Sequence, residues 1–521
     1  KTFNNFGING SFGGNQMKRR ADLTSIQVTD FIVKDLYTVQ NGRLKDPTYD
    51  LTERAVNSLY GSAEVSYKEL LYINATVRND WFSTLSPENR SILYPSVSAS
   101  YVFSESLNEK FSWLDFGKLR AAYASVGSDT DVPAYANRLF YGLGPALFVS
   151  QPVGNFVGPA ANSTIVPNAR LKPMTVEETE LGLETKLFNG RVGIDIAVYR
   201  KLTTDQIVNA QISDASGFTS TRINSGKSQN KGIELMLNVI PVQVNSFEWD
   251  FTFTGAYNKT KVLSLLTSTA GENITVGQHV FNGFVQQIVG QEMGQIVGFG
   301  YRRDDGSINP EHKGMIVYGA NGLPLRTATL IPFGSALPKW VGGFNNSFKY
   351  KGITASVLID FKLGGKVLSG TNFNAYRHGL SKETLVGRVG GVLDAGGNDP
   401  GNVIGEGVDI NSNINTVGAK AQDFYSVVRG SQLIEPVIYN AGYWKLRQIT
   451  IGYDFTHFFK SVPAIRGVRL NFVANNVLML KKWVPNIDPE SFSYGSDNVV
   501  GMESPSVPTT RSLGFNLNVK F

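Results

Sequence analysis

The end of the chain constrains its fold most. Leu513, Phe515, Leu517, Val519 and Phe521 alternate with Gly514, Asn516, Asn518 and Lys520. Only a pleated strand sends successive side chains to opposite faces, so this segment reads as a strand with one apolar and one polar face. The pattern recurs at Val192, Ile194, Ile196 and Val198 against Gly193 and Asp195. It recurs at Phe247, Trp249, Phe251 and Phe253 against Glu248, Asp250, Thr252 and Thr254. It recurs again at Ile353, Ala355, Val357, Ile359 and Phe361 against Thr354, Ser356, Asp360 and Lys362. The runs exceed the usual sandwich strand of about 5–6 residues. They suit a tilted membrane strand of about 9–11.

The alternation predicts strands at 5–17, 56–66, 69–80, 92–104, 117–127, 177–188, 191–202, 230–240, 246–258, 340–350, 353–362, 441–454, 466–477 and 511–521. Tight turns are expected at Asn189-Gly190, near Lys351-Gly352 and around Glu69, with medium turns over 105–116, 241–245 and 455–465. Long segments cover 18–55, 128–176, 203–229, 259–339, 363–440 and 478–510; only 81–91 is short on that side. Short turns on one side and long loops on the other are the asymmetry of outer-membrane barrels, whose long loops face out of the cell. In lipid every backbone N–H and C=O must be paired, so such a sheet closes. The expected class is all-β, a transmembrane antiparallel β-barrel.

Composition narrows the rest. No apolar run reaches the roughly 18 residues of a transmembrane helix. The chain has no cysteine, which removes disulfides, thiolate metal sites and a cysteine nucleophile. Its four histidines, His279, His312, His378 and His457, are scattered and form no HExxH motif. The net charge of +6 is spread as interleaved acids and bases, so nothing marks a nucleic-acid surface. No acid–base pair or Ser/His/Asp arrangement is supported, and the chain reads as a non-enzyme without cofactors. Gly226-Lys227-Ser228 lacks the preceding P-loop glycine, because Thr221 holds that position. Asp129 with Asp131, and Asp304 with Asp305, read as exposed acidic turns before they read as Ca²⁺ ligands.

Several segments resemble SusC/RagA-type TonB-dependent transporters. They are Tyr72-Ile73-Asn74-Ala75-Thr76-Val77-Arg78-Asn79-Asp80-Trp81, Tyr94-Pro95-Ser96-Val97-Ser98, Leu119-Arg120-Ala121-Ala122-Tyr123, Glu177-Glu178-Thr179-Glu180-Leu181-Gly182, Asn230-Lys231-Gly232-Ile233-Glu234, Ala474-Asn475-Asn476 and Asp488-Pro489-Glu490. The resemblance implies a 22-stranded barrel with an N-terminal plug, of which residues 1–521 supply about 14 strands of the barrel domain and no plug. It also implies active import of glycan or peptide oligomers across the bacterial outer membrane. A SusD-like surface lipoprotein would act as a lid, the TonB complex would pull on the plug, and transporter–lipoprotein pairs would form dimers. The C-terminus and short turns would be periplasmic, and terminal Phe521 would be the barrel-assembly signal. The rivals are a passive porin and a structural component of a larger envelope assembly. Aromatics in the long loops are the candidate substrate or partner contacts: Tyr135, Phe140, Tyr141, Phe148, Tyr301, Phe373 and Tyr376, with Phe156, Phe281 and Phe284 beside them. Their bland roles are loop packing and the interfacial girdle.

Overall fold

The computed structural model describes residues 2–3, 5–107, 111–129, 132–137, 140–142, 155–157, 165–212, 218, 220–265, 269–279, 281–387, 402–462, 464–490, 500–505 and 507–521. Among the described residues fourteen long strands follow the chain: β1 (Phe6–Phe31), β2 (Gly42–Tyr67), β3 (Leu71–Phe82), β4 (Ser91–Tyr101), β5 (Leu114–Ser128), β6 (Met174–Leu187) and β7 (Val192–Thr204). They continue as β8 (Lys227–Val244), β9 (Phe247–Ser264), β10 (Trp340–Tyr350), β11 (Ile353–Leu363), β12 (Tyr443–Asp454), β13 (Gly467–Lys482) and β14 (Ser512–Lys520). They form one antiparallel sheet in chain order, with Thr2–Phe3 folded back onto the start of β1. Every strand expected from the alternation is present.

Tight turns need φ > 0, and the sequence supplies residues that tolerate it. Lys68 and Glu69 adopt it between β2 and β3, Asn189 and Gly190 between β6 and β7, Asn245 between β8 and β9, and Lys351 and Gly352 between β10 and β11. Asn245 makes the expected medium turn at 241–245 a tight one.

The segment expected as a loop at 18–55 is instead strand. β1 and β2 pair without interruption from Phe6↔Tyr67 to Thr29↔Leu44. β3 ends at Phe82↔Val56, so beyond that point β1 and β2 continue as a two-stranded ribbon. From Lys18 to Phe31 it is about 44 Å long at the usual rise per residue. Asn41 ties its tip, accepting from the Val33 amide at 2.8 Å and donating to the Val33 and Leu36 carbonyls at 2.7 and 2.6 Å.

The chain divides into two compact units, Lys1–Val102 with Arg120–Leu181 and Lys201–Lys227, and Phe103–Leu119 with Gly182–Arg200 and Ser228–Phe521. In the first, Ile8 and Phe12, Leu59 and Val65, Ile73 and Val77, and Leu93 and Val97 share one face and are all exposed. So large an exposed apolar surface on a folded sheet calls for lipid against it. Aromatic rings flank it, with Phe6 against Tyr67 at the short-turn end and Trp81 at the other. The second unit repeats the arrangement. Trp113 lies between Phe111 and Phe188 near the short turns, while Tyr257–Trp340 and Phe361–Trp444 pair near the long loops. Two aromatic belts bounding an apolar band are the interfacial signature of membrane strands.

Candidate functional site

The polar faces of the strands carry charge in opposed pairs. In the first unit Arg120 meets Glu180 at 3.2 Å, Lys201 meets Glu178 at 2.9 Å, and Arg78 donates to Asp80 at 2.7 Å and to Ser58 at 2.8 Å. Tyr94 donates its hydroxyl to the same Asp80. In the second unit Lys118 meets Glu184 at 3.2 Å and Lys349 meets Glu248 at 2.5 Å. Such pairs, cross-strand except for Arg78–Asp80 within β3, balance the charge of a polar wall.

One cluster stands out by its burial. At Arg447 the register slips: Leu358 faces Gln448 but Ile359 faces Leu446, so Arg447 is an extra residue in β12. A bulge re-aims a side chain. Here it turns Arg447 to the same side as Lys445 and Gln448. Arg447 donates from Nε to Asp360 at 2.7 Å and forks onto Glu490 at 2.6 and 3.0 Å. Lys445, only 3% exposed, reaches Glu490 at 2.6 Å and Asp488 at 3.5 Å, and Tyr443 donates its hydroxyl to Glu490 at 2.6 Å. Burial alone would raise the Glu490 carboxyl, but donors from Arg447, Lys445 and Tyr443 outweigh it and hold it at about 2. The Asp488-Pro489-Glu490 motif therefore clamps the last long loop to the wall. The bulge is legible as a break in alternation, because Arg447 and Gln448 are adjacent polar residues in an otherwise alternating strand. Sequence reasoning passed over it.

The long loops of the second unit build a core of their own. Val285, Ile296, Leu368, Phe373, Val428, Ile434, Val437 and Met502 pack together, drawn from the connections after β9, β11 and β13. The helix Gly370–Arg377 enters this core with Ser369 as its N-cap. Buried Glu503 accepts from Ser369 Oγ at 2.9 Å, the Thr371 amide at 2.9 Å and Thr371 Oγ1 at 2.7 Å. A carboxylate at a helix start satisfies amides that have no partner within the helix.

The candidate contacts separate by place. Phe373, 2% exposed, lies in that core stacked on Phe281 at 4.5 Å. Tyr376 meets Tyr425 edge-on at 5.2 Å, and burial pushes its phenol above the ordinary range. Tyr301 is half-buried, its amide donating to Glu435 at 2.7 Å, and burial raises its phenol too. Tyr135 is exposed on a cleft of the first unit. The backbones of Phe140 and Tyr141 pair with those of Val157 and Phe156, but the side chains lie outside the described residues, as does all of Phe148. Phe521 is exposed at the end of β14. Asp129 is buried, receives Arg54, and accepts from Thr84 Oγ1 at 2.5 Å, while Asp131 lies outside the described residues. Asp304 and Asp305 cap their own turn, accepting from the Gly306 and Ser307 amides at 2.7 and 2.8 Å. Among the described residues no three His, Asp or Glu side chains are grouped to hold a metal ion.

An antiparallel meander with paired aromatic belts, a charge-balanced polar face and long packed loops on one side defines an outer-membrane β-barrel. Residues 1–477 match the family described as TonB dependent receptor-like, beta-barrel, and the chain belongs to that family. It is 24% identical over 494 residues to the TonB-dependent receptor P26 of Formosa agariphila, covering 91% of this chain and 47% of that protein. It is 22% identical over 503 residues to the TonB-dependent receptor SusC of Bacteroides thetaiotaomicron, covering 94% of this chain and 46% of that protein. The fold superposes on the RagAB peptide importer in its closed-closed state with a TM-score of 0.76 at 17% identity, covering 100% of this chain and 54% of that one. The chain thus spans about half the length of the curated relatives it matches.

Proposed function

We propose that the protein is an outer-membrane active importer of large nutrients, glycan or peptide oligomers, in which residues 1–521 form barrel wall and outer loops as one domain. The long loops face outward, and the short turns and C-terminus face the periplasm. A SusD-like surface lipoprotein covers the loops, TonB pulls on a plug domain, and transporter–lipoprotein pairs dimerise. Exposed loop aromatics, Tyr135 first, meet the cargo, and Phe521 serves barrel assembly. The observation that carries this reading is the family match through 477 residues together with likeness to SusC. Paired charges along the polar face and a buried clamp on the last loop suit a wall that holds a plug and cap in place.

The test is uptake of labelled oligomers by cells carrying the full-length receptor, with and without TonB, and identification of proteins that purify with it. Import that stops without TonB, and a co-purifying surface lipoprotein, support the proposal. Uptake indifferent to TonB, from a receptor that purifies alone, favours the passive pore.

A further inference from the structure

Where β3 ends beside β2, the first unit holds a cleft of about 870 Å³. Lys18, Arg19, Arg20 and Arg54 line it from the ribbon, Arg90 from the 83–90 turn, and Tyr135 from the connection after β5. The pleat puts Lys18 and Arg20 on the face of the ribbon that carries Glu53, the one acid of the lining, and Arg19 and Arg54 on the other. Arg20 is engaged by Asp22 at 2.8 Å and Glu53 at 3.5 Å, and Arg54 is held by buried Asp129. Among the described residues Lys18, Arg19 and Arg90 have no carboxylate partner.

Arg19 and Arg54 are direct cross-strand partners. Asp129 already balances Arg54, so Arg19 is the member of the pair without a carboxylate, and an anion bound there would complete the balance. The floor includes buried Phe82 and Leu85, and a low-dielectric wall strengthens the field of the cations above it.

The rest of the lining favours a saccharide over an extended peptide. A peptide would add to a free strand edge. At the cleft Ala55, the first edge residue past β3, has both its backbone groups taken: its amide donates to Ser83 Oγ at 2.8 Å and its carbonyl accepts from the Ser83 amide at 2.9 Å, so a strand could be added only from Glu53 outward, along the ribbon and away from Arg90 and Tyr135. What remains is guanidinium groups, hydroxyls and the exposed ring of Tyr135, a platform for a sugar face.

We propose that this cleft is a subsite for an acidic oligosaccharide, carboxylated or sulfated. Arg19 and Arg90 take its acidic groups, Tyr135 stacks on a ring, and Arg54, fixed by Asp129, positions the neighbouring charge. The proposal rests on the import reading above and narrows its substrate class.

The test uses the full-length receptor purified with its partners and four probes: oligogalacturonate, a sulfated glucan oligomer, a neutral glucan of the same length, and hexaglutamate. Either acidic saccharide is expected to bind at least about tenfold tighter than the neutral one, with affinity falling as salt rises; which one binds distinguishes carboxylate from sulfate. The R19Q/R90Q double variant should lose about tenfold for the acidic probe and nothing for the neutral one. Y135A should weaken the saccharide and leave hexaglutamate unchanged. Equal binding of neutral and acidic saccharides, undiminished binding by R19Q/R90Q, or hexaglutamate binding tighter than both saccharides would each overturn the assignment. Uptake in cells separates the two claims. TonB-dependent import of neutral oligomers alone sinks the acidic subsite and keeps the importer, whereas TonB-independent uptake sinks the importer.

Discussion

The ribbon of β1 and β2 and the loops that follow β9, β11 and β13 look alike in sequence, as stretches without a clear apolar period. They fold in opposite ways. The ribbon has uninterrupted pairing between its two strands from Lys18 to Thr29 and no core: Leu23, Ile26, Leu44 and Tyr49 are all exposed on it. The loops have little regular pairing and a dense core, with Ile296, Leu368, Val428 and Ile434 fully buried. Hydrogen bonding without burial makes an element whose shape is local. Burial without regular hydrogen bonding makes one whose shape depends on residues far apart in sequence. A lone two-stranded ribbon is marginally stable in water, whereas a packed loop core loses several kcal/mol when a large side chain is removed.

The largest test of this contrast is Phe373→Ala. It should cost the loop core about 3–5 kcal/mol and appear as faster proteolysis within 264–511 and faster hydrogen exchange in Gly370–Arg377. Unchanged exchange there would mean that the core does not hold the loops together.

Glu490→Ala should follow at about 3 kcal/mol, because it leaves buried Lys445 with only the longer 3.5 Å contact to Asp488 and takes from Arg447 one of its two carboxylates. Its signature is release of the last long loop, read as protease cleavage after β13. The same clamp makes a pH prediction. The Glu490 carboxyl lies at about 2 in the fold, below its ordinary value of 4.5. Its stabilisation is therefore fully present above about pH 4.5 and is lost as the pH falls from there towards 2. Loop protection that stays flat across that window would remove the clamp from the account.

Gly232→Ala should cost about 1–3 kcal/mol by overpacking. A Cβ there would lie 2.5 Å from the Tyr199 ring, which covers the glycine from the neighbouring strand. A heat-stability measurement on the folded barrel tests it, and an unshifted midpoint would show that the ring can move aside. The smallest effect belongs to the ribbon. Leu23→Ser with Ile26→Ser should change barrel stability by less than about 0.5 kcal/mol, as expected of exposed positions. A loss above about 2 kcal/mol would mean that the ribbon packs on something, and would end the contrast.

The strands were legible because one face meets an apolar medium and the other does not. Leu513 through Phe521 and Ile353 through Phe361 state that difference residue by residue. The outer half of the ribbon was missed for the same reason. Lys18, Arg20 and Asp22 on one face, and Arg19 and Leu23 near them, are all exposed, so no period separates two environments. Of the candidate contacts, the sequence supplied aromatic rings in loops but could not sort them. Phe373 and Tyr135 are alike as symbols, yet one lies in the loop core and the other on an open cleft.

By itself, then, the sequence determined the pleat, the number and order of the long strands, and the alternation of short turns with long connections. Those follow from interactions between neighbours and from a two-sided environment that repeats every second residue. Only the tertiary structure decided that Arg447 is a bulge aimed at Glu490, that three separate loops share a core, and that Arg19, Arg54 and Arg90 converge beside Tyr135. Each of those depends on pairs more than thirty residues apart, whose meeting is set by sheet register and loop packing and leaves no period along the chain.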